Sequence, residues 1–123
     1  MDLYREDVMD HYEHPRNKGE ITGNCVLTEQ ETNTSCGDMT QFYLKIEEGK
    51  IVEAKWNGTG CAITSAAASK LSEYLVGKMV KDIKKMSEEE LAKEGIGFEV
   101  NAGRIKCLML PVKVVKKLLG NSN

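Results

Sequence analysis

Two alternating stretches, Phe42 to Glu47 and Ile51 to Asn57, separated by Glu48-Gly49-Lys50, constrain this chain more than anything else in it. In the first, Phe42, Leu44 and Ile46 alternate with Tyr43, Lys45 and Glu47; in the second, Val52, Ala54 and Trp56 alternate with Glu53 and Lys55. A period of two on either side of a glycine turn describes an antiparallel hairpin with one buried face. Matching the apolar faces sets Ile46 against Val52, Leu44 against Ala54 and Phe42 against Trp56, with Lys45 facing Glu53. Extended outward, this register puts Cys36 opposite Ala62 and Cys61 opposite Gly37. The hairpin alone therefore gathers Cys36, Asp38 and Cys61 at one end of a sheet.

The remaining elements follow from their own patterns. CVLTEQE, ahead of the hairpin, reads as a short, half-exposed strand. Leu3, Tyr4, Val8, Met9 and Tyr12 share a helical face that Asp2 can cap and Pro15 must end, with His11 and His14 as polar positions. After Cys61, AITSAAASKLSEYLVGK places Ile63, Ala67, Leu71, Tyr74 and Leu75 on one helical face, with Gly77 as the stop. Ser87 and Glu90 form a capping box for a short helix in SEEELAK. The glycine-bearing EGIGFEVNAGR is a loop that delivers Cys107 to a last helix, whose buried stripe is Val112, Val115, Leu118 and Leu119. Pro111 belongs in a first helical turn, so this helix is predicted to start between Cys107 and Pro111.

At 123 residues the chain is expected to form one domain, residues 1–123. A net charge of −2 with 29% charged residues implies neither a nucleic-acid footprint nor a polybasic membrane patch; Lys113, Lys116 and Lys117 are the only local basic run. The opening MDLYREDVMDHYEHPRN carries acids among its apolar residues, unlike a secretory or transit signal, and no apolar run reaches the length of a membrane span. The expected setting is cytoplasmic and reducing, where cysteines bind metal or react more often than they pair.

Three of the four cysteines share a context. Cys36 is followed by Gly37, Cys61 is preceded by Gly58-Thr59-Gly60, and Cys107 follows a glycine-bearing loop and opens a helix. Helix N-termini stabilise thiolates, and glycines let backbone approach a bound ion. Three thiolates with the carboxylate of Asp38 make a four-coordinate set for zinc, or for an iron-sulfur cluster with one non-cysteine ligand. Their long spacings match no zinc-finger pattern, so spacing alone leaves open both a metal site and buried structural cysteines. Cys25 lacks the shared context and reads as structural or incidental.

SCGD, GTGCAITSAAAS and GRIKC, in that order, behind an opening YREDVMDHYEHPRNKGEI, resemble the signature segments of the IscU/NifU-type iron-sulfur cluster scaffold family. The resemblance runs from Tyr4 to Leu118. It implies an α+β fold, a three-stranded antiparallel sheet packed against an N-terminal helix and several C-terminal helices. It also implies a function: sulfur arrives as a persulfide from a cysteine desulfurase, iron joins it, and a labile 2Fe-2S cluster forms before transfer to acceptor apoproteins. Cys36, Cys61 and Cys107 would be ligands and Cys107 the persulfide acceptor. Asp38 would ligate zinc in the cluster-free state and keep the cluster labile. The scaffold would act as a monomer or a cluster-linked dimer.

Two departures bear on this reading. Many IscU proteins place histidine before the third cysteine, after a Leu-Pro-Pro-Val-Lys segment that an Hsp70-type chaperone recognises. Here the residue is Lys106, a donor without a lone pair while charged, and no such segment precedes it, which counts against that chaperone as a partner. GTGCAI and the spacing of Arg104 to Cys107 look more like the SufU branch, whose members act as zinc-dependent sulfurtransferases; that branch usually carries an insertion for which this chain has little room. Arg104 and Lys106 are candidates for attracting an anionic persulfide or cluster.

Overall fold

The computed structural model describes residues 3–33 and 37–120, with side chains from Glu6 onward. The elements run α1 (Leu3–Glu13), β1 (Val26–Asn33), β2 (Asp38–Glu47), β3 (Lys50–Thr59), α2 (Ala62–Leu75), α3 (Val80–Lys85), α4 (Glu88–Gly95) and, after a 3-10 turn at Ala102–Arg104, α5 (Ile105–Gly120). The strands form one antiparallel sheet in the order β1-β2-β3. Phe42, Leu44, Ala54 and Trp56 are buried from it against α2, which packs on β3, and α5, which packs on β1 and β2. This is the α+β arrangement expected from the sequence. No helix among the described residues is long and apolar enough to cross a membrane.

The hairpin keeps the expected register from Met39 opposite Thr59 to Lys45 opposite Glu53, and then shifts by one residue. The turn has two residues rather than three: Glu48 and Gly49 both take positive φ, +52° and +77°, the combination that matches the twist of paired strands. Lys50 consequently pairs with Glu47, and Ile46 pairs with Ile51, not Val52. Ile51 is buried while Val52 is 38% exposed, because the bulge exchanges their faces. Lys45 faces Glu53 as expected, although its ammonium pairs along its own strand with Glu47 at 3.7 Å.

Both edges of the β3–α2 connection are fastened. Trp56 exchanges backbone bonds with Asn17 and Gly19, and its indole N–H donates to the Arg16 carbonyl at 2.8 Å. The same loop reaches α2: the Arg16 N–H donates to Ser69 Oγ at 2.9 Å and the Asn17 side-chain amide to Ser72 Oγ at 3.1 Å. The sequence reading of α1 needs correction here. Val8 and His11 are buried, His11 to 6% exposure, whereas Met9 and Tyr12 face solvent. His11 Nδ1 lies 2.7 Å from Ser69 Oγ, a satisfied buried contact that apolar periodicity does not register. The Asp2 cap lies outside the described residues.

Two further differences concern the C-terminal half. The six-residue α3 has no side-chain cap at its start and buries only Ile83, so no local pattern announces it. It is held from outside, by backbone bonds from Ile51 N–H to the Lys78 carbonyl and from Val80 N–H to the Gly49 carbonyl. The ammonium of Lys116 in α5 donates to the carbonyls of Ile83, Lys84 and Met86. The last helix begins at Ile105, before Cys107, so Pro111 stands inside it. Proline has no N–H, and the Cys107 carbonyl lacks the helical donor that another residue would supply. The expected Ser87–Glu90 capping box is present.

The basic run is thus spent on structure. Lys113 pairs with Glu88 at 3.3 Å and Lys117 with Glu31 at 3.0 Å and Glu29 at 3.6 Å, while Lys116 closes the C-terminus of α3. Replacing Lys116 by Met is expected to cost about 1.5–3 kcal/mol, the loss of charge-assisted bonds at a helix end. Lys113→Ala, which breaks one exposed pair, should cost under about 1 kcal/mol. Urea unfolding of the two variants checks the contrast.

Candidate metal centre

The hairpin register delivers Asp38 to the start of β2, paired with Asn33 of β1. The ladder on its other side ends at Thr59, so the expected pairing of Cys61 with Gly37 does not form. Gly60 instead turns the chain off the sheet with φ +151°, and a Cβ there would sit 2.6 Å from the Asp38 carboxyl carbon. Only glycine allows the crossing to run so close over the carboxylate. Cys61 is then the N-cap residue of α2, in extended backbone, with no capping bond from its side chain. Its sulfur is thereby left available for other contacts.

Cys107 comes from the third position of α5, within the helix's first turn rather than at its first residue. One oxygen of Asp38 and the sulfurs of Cys61 and Cys107 all lie within 4.8 Å of one another. The carboxylate is 5% exposed and Cys107 8%, while Cys61 is half-buried. Cys36 lies outside the described residues; the flanking Gly37 N–H donates to the Asn33 carbonyl at 2.7 Å. Arg104 and Lys106 are exposed and neither is part of the cluster. Cys25 is exposed too, with φ +66°.

A residue that the sequence reading passed over stands in the middle. Thr64, in the first turn of α2 and fully enclosed, donates its hydroxyl to Asp38 Oδ2 at 2.7 Å and lies 3.5 Å from Cys61 Sγ. The signal available in sequence was its place three residues after Cys61, which brings a side chain back toward the helix start.

The two thiols are displaced in opposite directions. Burial pushes Cys61 up, but its contact with the Thr64 hydroxyl and hydrogen bonds from the Thr64 N–H, the Cys107 thiol and the Ile63 N–H outweigh it, so its pKa falls below the ordinary value. Cys107 is pushed up to about 12, first by burial, then by its hydrogen bond to Cys61 and by the negative charges of Cys61 and Asp38. Without a cation Cys107 therefore holds its proton more tightly than Cys61 does.

Two soft sulfurs and one hard oxygen, from three separate elements, fit a borderline metal such as zinc and fit the thiolate ligation of iron-sulfur clusters. Tetrahedral zinc at its usual bond lengths spaces its ligand atoms by about 3–4 Å, and these three atoms lie within 4.8 Å of one another. The positive ion would also supply the charge that Cys107 needs to ionise.

Against known proteins, residues 3–121 match the model of the NifU-like N terminal domain. The chain belongs to that family. It is 31% identical to the iron-sulfur cluster assembly scaffold protein IscU of Thermotoga maritima, over 95% of this chain and 92% of that one. It is 36% identical to the zinc-dependent sulfurtransferase SufU of Bacillus subtilis, over 70% of this chain and 57% of that one. Its backbone superposes on the N-terminal NifU-like protein of Brucella abortus with a TM-score of 0.77, covering 99% of this chain and 97% of that one; at 13% identity this likeness concerns the fold. The family is the one that the cysteine segments resemble.

In metal-free protein at neutral pH, iodoacetamide should modify Cys61 well before Cys107. The Cys61 rate should level off at a lower pH than that of an ordinary thiol, while the Cys107 rate keeps rising up to about pH 12 or until the fold opens. Peptide mass spectrometry of timed samples measures both.

Proposed function

We propose that this chain is an iron-sulfur cluster assembly scaffold. The observation that carries the reading is the convergence of Asp38, Cys61 and Cys107 within 4.8 Å in a chain with the NifU-like N-terminal domain, a relative of a protein named as such a scaffold. In this reading Cys36, which neighbours Asp38 in sequence, completes the ligand set, and the cargo is a 2Fe-2S cluster. Thiolates hold the irons, and the carboxylate is the weaker ligand to a soft centre, so the cluster leaves readily for acceptor apoproteins.

Sulfur would enter through Cys107. Its thiolate attacks the terminal sulfur of a cysteine desulfurase persulfide; a new S–S bond forms on Cys107, the old one breaks, and the desulfurase cysteine leaves as thiolate. Conversion of this sulfur to bridging sulfide takes two electrons from an external reductant, such as an electron-transfer protein or a thiol. The exposed Arg104 and Lys106 supply positive charge beside the entry point. The cluster-free site is suited to zinc, and that ion would keep Cys107 ionised.

Likeness to the sulfurtransferase SufU favours a second reading, in which zinc stays bound and the chain only accepts sulfur. Anaerobic incubation with iron, cysteine and a desulfurase separates them. A scaffold develops a visible cluster chromophore that moves to an apo-ferredoxin; a zinc-dependent sulfur acceptor stimulates the desulfurase without one. Cys107→Ser should abolish both behaviours. Asp38→Ala should lengthen the lifetime of an assembled cluster, and a shorter lifetime would contradict the role given to the carboxylate.

A further inference from the structure

We propose that Thr64 is the positioning residue of the centre, holding the Asp38 carboxylate in the orientation from which it serves as a ligand beside Cys61 and Cys107. The inference rests on the metal-site reading above and goes beyond it, because Thr64 is no ligand in that reading.

Three observations converge. Asp38 is 5% exposed, and a carboxylate so enclosed needs donors to stay ionised. Thr64 is a donor at 2.7 Å, to one named oxygen, Oδ2, which fixes the rotation of the carboxyl group about its last bond. The other side of the group is closed by Gly60, where even a methyl-sized addition would collide with it. Thr64 is 2% exposed, so the packing around it leaves its hydroxyl little room to turn away. Hydroxyls that orient metal-binding carboxylates in this manner are worth about 10–100-fold in metal affinity.

The hydroxyl also lies 3.5 Å from Cys61 Sγ. It has one proton and two partners, and the shorter contact is to the carboxylate. A change at Thr64 should therefore be felt chiefly through Asp38.

Thr64→Val keeps shape and removes the donor; Thr64→Ser keeps the donor. Zinc affinity is measured by competition with a chromophoric chelator, and unfolding midpoints of the metal-free proteins are recorded alongside. Expected are about 10–100-fold weaker zinc binding in Thr64→Val, a comparable loss in Asp38→Ala, and near-wild-type binding in Thr64→Ser. In the Asp38→Ala background, Thr64→Val should change zinc affinity by no more than about twofold, the limit of a residue acting through its neighbour. If Thr64→Val fails to fold, Thr64→Ala and Thr64→Ser carry the same cycle. Losses that add in the double variant, or a zinc affinity unchanged by Thr64→Val while Asp38→Ala lowers it, overturn this inference and leave the site reading standing. Zinc binding untouched by Asp38→Ala overturns both.

Discussion

The ladder between β2 and β3 is the constraint to which the rest of the molecule answers. Its single register from Met39–Thr59 to Lys45–Glu53 turns Phe42, Leu44, Ala54 and Trp56 to one side together, and a slip of one residue would turn all four outward. At the far end the strands are so close that a Cβ on Gly58 would come within 2.4 Å of the Met39 carbonyl oxygen. Register and proximity together hold Asp38, at the start of one strand, beside Gly60, just past the end of the other. The Trp56 contacts to the 16–19 loop and that loop's bonds to Ser69 and Ser72 then fix α2 relative to β3. The carboxylate and the first turn of α2 meet for this reason.

What collects there is costly in isolation. An enclosed carboxylate and two neighbouring sulfurs repel one another once ionised, and burial resists each charge. Hydrogen bonds offset part of this, from Thr64 to Asp38 and from several donors to Cys61, while Cys107 keeps its proton. A cation bound there would resolve the remaining conflict, and its departure would restore it. Such a site would favour occupation without making it irreversible, as the proposed scaffold role requires.

Legibility in the sequence followed the range of the interactions involved. The alternation of Phe42 to Asn57 carried enough information to match most of the hairpin; it failed where the two-residue Glu48-Gly49 turn and its bulge exchanged Ile51 for Val52, and where Gly60 takes the chain off the sheet before Cys61 can pair with Gly37. The bulge depends on backbone angles, which alternation does not encode. Caps confined to four residues, such as Ser87 with Glu90, were readable. α3 was not, since Lys116 holds it from 30 or more residues away. His11 was readable only as a polar position, because its burial depends on Ser69 across the α1–α2 contact. Pro111 was placed in the wrong turn because the preceding 3-10 turn lets the helix begin at Ile105.

The sequence by itself determined the sheet, the helices other than α3 and the candidacy of Asp38, Cys61 and Cys107, because periodicity, glycine placement and thiol context are local properties. It also carried the family likeness, which rests on the same short segments. Tertiary structure decided which atoms share a site. That Thr64 donates to Asp38, that Cys107 stays protonated while Cys61 is favoured as an anion, and that Arg104 and Lys106 remain outside the cluster are consequences of distances and burial between separate elements. Electrostatic and hydrogen-bond energies change over a few ångströms, and no spacing along the chain specifies separations that fine.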